Sequence, residues 1–169
     1  MCVVVKPLKQ PVQVYRYDKF KCKPGAEKKF VRAVNDILDG YDLLIGHNII
    51  RFDLPWLRSR SVFFDLPELP LKWAYDTCRV FRRLGYKTVP NGLGKPSAGL
   101  AHVTDFYDLD QEKTGIYPRA WWKSVWAEGP KERSKALDNI VAHCISDVRM
   151  NEQIYWKLVR SDRGTLGHA

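Results

Sequence analysis

The chain has 169 residues, the size of one domain, and 45% of them are hydrophobic, enough for a single core. Its 28 Lys and Arg against 19 Asp and Glu leave a formal charge of +9, which suits a polyanionic partner such as nucleic acid, or simply a basic surface. No run approaches the ~18 apolar residues of a membrane span and no signal-peptide pattern opens the chain. The cysteines (Cys2, Cys22, Cys78, Cys144) show neither CxxC nor zinc-ligand spacing, so a cytoplasmic protein with reduced thiols and no membrane contact is expected.

Residues 1–6 are rich in β-branched side chains and residues 12–17 alternate Val-Gln-Val-Tyr-Arg-Tyr, which predicts a hairpin turned between Pro7 and Pro11. Phe30, Val31, Val34, Ile37 and Leu38 recur at helical spacing over 26–39, and Gly40 supplies the stop. Residues 43–47, Leu-Leu-Ile-Gly-His, read as a buried parallel strand delivering polar groups at its C-terminal end. A helix opens at Asp53 and runs to about Arg60, with Pro55 tolerated in its first turn. Asp53 is therefore pinned beside the strand exit, where open α/β sheets hold their ligands; a plain helix cap is the alternative.

Segment 71–75 is a second short strand, ending at Asp76-Thr77, and 78–84 is a basic helix stopped by Gly85. This order of strand, helix, strand and helix predicts an α/β architecture. Residues 85–98 form a Gly- and Pro-punctuated loop; its Gly92-Leu93-Gly94-Lys95 tip lacks the rest of a P-loop. Short helices are expected at 100–109 and 119–126. In the second, Trp121, Trp122 and Trp126 are expected to bury in the core, with stacking on bases as the alternative. The longest helix covers 131–159, with Ile140, Cys144, Val148 and Leu158 on its apolar stripe. One domain over 1–160 and a polar tail over 161–169 are expected.

Within that last helix His143 and Asp147 stand four apart, one turn from each other on one face. Ile140, Val141, Cys144, Ile145 and Val148 surround them, so an ionisable pair there needs a partner. A metal ion or a simple His–Asp hydrogen bond would serve.

Three stretches taken in order, Gly-His-Asn-Ile-Ile-Arg-Phe-Asp (46–53), Ala-Tyr-Asp-Thr (74–77) and His-Cys-Ile-Ser-Asp-Val (143–148), resemble the motifs of the DEDD superfamily of 3′-5′ exonucleases. The likeness is greatest to the exonuclease domain of phage-type family A DNA polymerases, and it spans nearly the whole chain. It implies an RNase H-like fold, with Asp53 and Asp147 as the second- and third-motif carboxylates holding two Mg²⁺ or Mn²⁺ ions. It also implies that His143 orients the attacking water, and that the substrate is DNA, with RNA as a further candidate. In that chemistry one ion activates the water and both stabilise the in-line displacement. No polymerase sequence follows, so a stand-alone enzyme is expected, in the host cytoplasm if phage-encoded.

Two departures from the family pattern matter. A His stands at the spacing the family uses for Tyr, and imidazole and phenol differ in pKa by several units. The Asp-x-Glu first motif has no counterpart before the strand at Cys2, so two carboxylates face the four positive charges of two ions. In an RNase H-like sheet the strand carrying that motif lies between the Cys2 strand and the Leu43 strand. The expected fold class is thus an RNase H-like mixed sheet flanked by helices and lacking its first, central strand, with two apolar edges exposed.

Candidate substitute acids are Asp76, which otherwise caps the next helix, the Asp110-Gln111-Glu112 triplet, and Asp18. Arg79, Arg82, Arg83, Lys87 and Lys95 are candidates for phosphate contacts, and Asn48 either binds the strand terminus or fixes the loop before Asp53. Three readings stand. The chain is an N-terminally shortened exonuclease, a non-cutting module that binds nucleic acid or a replication protein, or a nuclease completed by another chain that supplies the missing strand and acids.

Overall fold

The computed structural model describes residues 1–20, 25–86, 97–109, 118–127 and 129–161. Cys22, Lys87, Lys95, the Asp110–Glu112 triplet and the tail beyond Ser161 lie outside these residues, so the expectations resting on them are not addressed.

The β-branched run at the start becomes strand β1 (Cys2–Val5), which pairs antiparallel with β2 (Gln13–Arg16), Cys2 opposite Arg16 and Val5 opposite Gln13. After a 3-10 turn (Tyr17–Phe20) comes α1 (Ala26–Asp39), closed at Gly40 as its stop residue required. β3 (Leu43–Gly46) and β4 (Trp73–Asp76) pair in parallel, Leu43 opposite Trp73 and Gly46 opposite Asp76. Parallel strands need a crossover, and α2 (Asp53–Phe63) provides it. α2 runs a turn beyond Arg60, whose guanidinium lies 4.6 Å from the Phe63 ring centre and 2.5 Å from Glu27. α3 (Thr77–Arg83), α4 (Leu100–Phe106), α5 (Pro118–Trp126) and the long α6 (Pro130–Ser161) complete the described chain.

Pleating directs alternate side chains of β1 to opposite layers. Val3 joins a core of Phe30, Val31 and Val34 from α1, Leu44 from β3 and Leu57 from α2. Cys2 instead meets Leu137, Ile140 and Val141 of α6. The strand layer therefore lies between α1 and α2 on one side and α6 on the other, a mixed α/β architecture. A second core joins Val80 and Phe81 of α3 and Val103 of α4 to Ile154 and Leu158 at the far end of α6. Complete burial of a side chain such as Phe30, Phe81 or Ile154 contributes about 1.5–3 kcal/mol each.

β1 runs alongside α6 in the same direction. The Cys2 and Cys144 sulfurs are 4.0 Å apart, and Lys6 Nζ lies 2.6 Å from Glu152 Oε1. Four residues of strand and eight of helix both advance about 12–13 Å, so the two registers match. Arg16 bonds both Asp18, at 2.8 Å, and Asp138 of α6.

Two expectations need correction. Parallel pairing of β3 holds, but full burial does not: Leu44 is buried while Leu43 is exposed, as is Trp73 opposite it. Leu43 and Trp73 form the first pair of the β3–β4 ladder, which among the described residues is a two-stranded sheet separate from β1–β2. The tryptophans of α5 are not core either, for Trp121, Trp122 and Trp126 are 50%, 69% and 70% exposed. The small residues Ala120, Ser124 and Ala127 are the sheltered ones in this stretch, and they let α5 approach α6 closely while the indoles are left outside.

Candidate active site

The C-terminal ends of β3 and β4 and the middle of α6 converge on one group of polar side chains. β3 ends at Gly46, where a Cβ would stand 2.6 Å from the Cβ of Ile49; only glycine lets the chain fold back so tightly. Asn48 follows with φ of 65°, a left-handed conformation that Asn tolerates better than most residues, and its carbonyl accepts the N–H groups of Arg51 and Phe52. The loop thus winds directly into α2.

Asp76 fixes that loop. It is 3% exposed and caps α3 by accepting the N–H groups of Cys78 and Arg79. The same carboxylate accepts the N–H of Asn48 at 3.0 Å and of Ile50 at 3.2 Å. Oδ1 takes three donors and Oδ2 one. Beside it, His47 places Nε2 2.8 Å from the Ala98 carbonyl and Nδ1 3.0 Å from the Thr77 hydroxyl, which in turn donates to Asn151 of α6 at 2.7 Å. Burial lowers the His47 pKa, overriding the Ala98 carbonyl and the Asp76 carboxylate, which raise it.

Asp53 is the first residue of α2. Phe52 holds the N-cap position without a side-chain cap bond, and the Asp53 carboxyl bonds its own backbone N–H in the first turn. The residue as a whole is exposed, yet the atoms packed around its carboxyl raise its pKa against the pull of its own backbone N–H, and the Asp76 carboxylate adds to the rise. On α6, His143 Nε2 lies 3.2 Å from Asp147 Oδ2, both side chains half-buried. The Cys144 thiol is pushed up by the Cys2 thiol and by burial, and then by the charges of Asp147 and Asp53. The charges of both carboxylates thus act on Cys144, and that of Asp147 acts on His47 as well.

Arg79, Arg82 and Arg83 are exposed on α3. The charge of Arg82 acts on His47 and, with that of Arg51, on Cys78. Arg51 and the His47–Thr77–Asn151 network were passed over in the sequence. The signal for Arg51 was its place two residues before Asp53; the network joins residues up to 74 positions apart and leaves no local pattern.

Over residues 5–159 the chain matches the RNase H superfamily. It belongs to that superfamily. No curated protein and no solved structure matches the chain. The match to the RNase H superfamily runs from the end of β1 almost to the end of α6 and includes His47, Asp53, Asp76, His143 and Asp147. RNase H-like domains are typically hydrolytic nucleases that use divalent metals, which gives the basic surface a nucleic-acid partner.

Asp53 and Asp147 supply the hard oxygen ligands that Mg²⁺ or Mn²⁺ requires. They fit one such ion in part and a pair of ions poorly. Among the described residues no three His, Cys, Asp or Glu form a group that could hold a metal. Asp76 spends its oxygens on backbone N–H groups, and Asp18 pairs with Arg16. No described helix is long and apolar enough to cross a membrane.

Proposed function

We propose that the chain is the greater part of a DEDD-type 3′-5′ exonuclease domain acting on DNA, with Asp53 and Asp147 as metal ligands and His143 beside the attacking water. The observation that carries this reading is the His143–Asp147 pair on α6, with the charges of Asp53 and Asp147 both acting on Cys144 of the same helix. Asp53 and Asp147 would hold divalent ions, which would supply an activated water and charge stabilisation for an in-line displacement at phosphorus. His143, 3.2 Å from Asp147, holds its imidazole toward the same carboxylate and orients a water by hydrogen bonding. Arg51, Arg79 and Arg82 bind the phosphates, with Asn48 on the strand terminus or in the loop, while Asp76 organises the loop.

Two acids are still required. The edge of β1 away from β2 and the edge of β3 away from β4 carry no ladder among the described residues. A strand bearing two carboxylates would pair with both edges and complete the ion site, whether it precedes this chain or comes from another one. A second reading is a module that binds nucleic acid or a replication protein without cutting, which the formal charge of +9 would serve.

The test is cleavage of 3′-labelled and 5′-labelled single-stranded DNA with Mg²⁺, with Mn²⁺ and with chelator, beside Asp147→Asn. Metal-dependent shortening from the 3′ end, reduced to the chelator background in the variant, is expected. Full activity in Asp147→Asn removes the assignment. No cleavage, with salt-sensitive binding retained, favours the non-cutting module.

A further inference from the structure

α5 lies antiparallel along the first turns of α6, held by Lys123 to Glu132 at 2.9 Å and by Arg133 to the Ala127 carbonyl at 2.9 Å. Its small residues face inward, which leaves Trp121, Trp122, Val125 and Trp126 more than half or about half open to solvent. The Trp122 and Trp126 rings are 6.0 Å apart and inclined by 40°. Exposed indoles in a row are costly in water, and such a patch marks a binding surface.

The charge around the patch selects its occupant. Residues 118–135 carry five cations (Arg119, Lys123, Lys131, Arg133, Lys135) against two acids, Glu128 and Glu132. A second copy of the chain would set two positive rims against each other. A polyanion whose bases offer flat apolar faces meets both the indoles and the cations.

We propose that the outer face of α5 is a stacking platform for single-stranded nucleic acid, with Trp122 and Trp126 under successive bases. The proposal rests on the chain being a nucleic-acid enzyme and extends the bound strand beyond its active site. The Lys123–Glu132 bond sets the platform level with Glu132, fifteen residues before Asp147, or about 22 Å along α6. A short oligonucleotide occupies one of the two places and a longer one both.

The experiment is fluorescence anisotropy of labelled oligothymidylates of about four and about sixteen nucleotides, spanning the usual range of such sites. It uses the full chain in chelator, so that no cleavage intervenes. Trp122→Ala/Trp126→Ala is expected to weaken binding of the longer strand by at least about thirtyfold, without changing the salt slope set by the cations. Trp122→Phe/Trp126→Phe restores most of it, because a phenyl ring still stacks. Far-UV circular dichroism checks that both variants fold. An affinity for the longer strand within twofold of the parent overturns the proposal. So does a parent dimer that becomes a monomer in the alanine variant with binding unchanged, since the patch would then join two copies. Absence of cleavage in the parent protein would instead count against the nuclease reading and leave this binding measurement intact.

Discussion

Asp76→Ala separates an organising carboxylate from a metal-binding one. The side chain is buried and accepts four backbone N–H groups, two that begin α3 and two from the loop between β3 and α2. Loss of the cap costs about 1 kcal/mol. The Asn48 and Ile50 donors each lose a bond to a charged acceptor, about 1.5 kcal/mol apiece in this half-buried setting. The total is about 4 kcal/mol, large for a single substitution. With a urea slope of about 2 kcal/mol/M, the unfolding midpoint falls by roughly 2 M. The assay is urea unfolding followed by tryptophan fluorescence in chelator. Asp76→Asn keeps the acceptor oxygen of the three-donor side but turns an NH₂ toward Ile50, so an intermediate loss is expected. If Asp76 were chiefly a metal ligand, its removal would relieve the repulsion it exerts on Asp53 and leave metal-free stability unchanged or raised. A midpoint that does not fall in chelator therefore refutes the organising role.

Two further outcomes follow from the titrating groups. His47 is held neutral by burial, with a folded pKa below 6.5, so the unfolded chain takes up its proton first as the pH falls. Its contribution is complete above 6.5 and is lost as the pH drops from there toward the lowered value; urea midpoints measured across that window should decline, and His47→Gln should flatten the decline. A parent protein whose curve already matches that of the variant contradicts this. Cys2 is drawn down to about 7 from 9.0, chiefly by the Cys144 thiol, so Cys2 should react with iodoacetamide with a midpoint of about 7. Cys144→Ala should return that midpoint toward 9.0, as read by peptide mass spectrometry; an unmoved midpoint would sever the pair.

The regular elements were legible because their signals are local. The apolar spacing of Phe30, Val31 and Val34, the stop at Gly40 and the cap at Asp76 each act within a few residues of themselves, and each stands where the pattern puts it. The parallel partnership of β3 and β4 was also legible, since a helical segment between two short apolar runs leaves little choice. The α5 tryptophans were misread for a definable reason. Helical spacing reveals that a face exists, but which face is covered depends on the partner, and here α6 took the small side of α5. The extent of Asp76's engagement was half visible, because its bonds to Cys78 and Arg79 are sequential while those to Asn48 and Ile50 cross 28 and 26 positions.

The legible part of the candidate site, Asp53, His143 and Asp147, depends for its geometry on the part that was not. α6 touches the rest of the molecule at spaced positions on its inner side: Cys144 on Cys2 of β1, Asn151 on Thr77, Glu152 on Lys6, and Ile154 and Leu158 in the second core. Asp147 stands between the first two of these anchors. Its position relative to Asp53 is thus set from one side by the hairpin and from the other by the Thr77–His47 connection to the end of β3, from which the loop to Asp53 departs. Under the proposed function, an ion held by the two carboxylates would need both located to within a fraction of an ångström. A helix anchored on both sides of Asp147, and a loop tied to Asp76 at two backbone groups, restrain the two carboxylates from both directions.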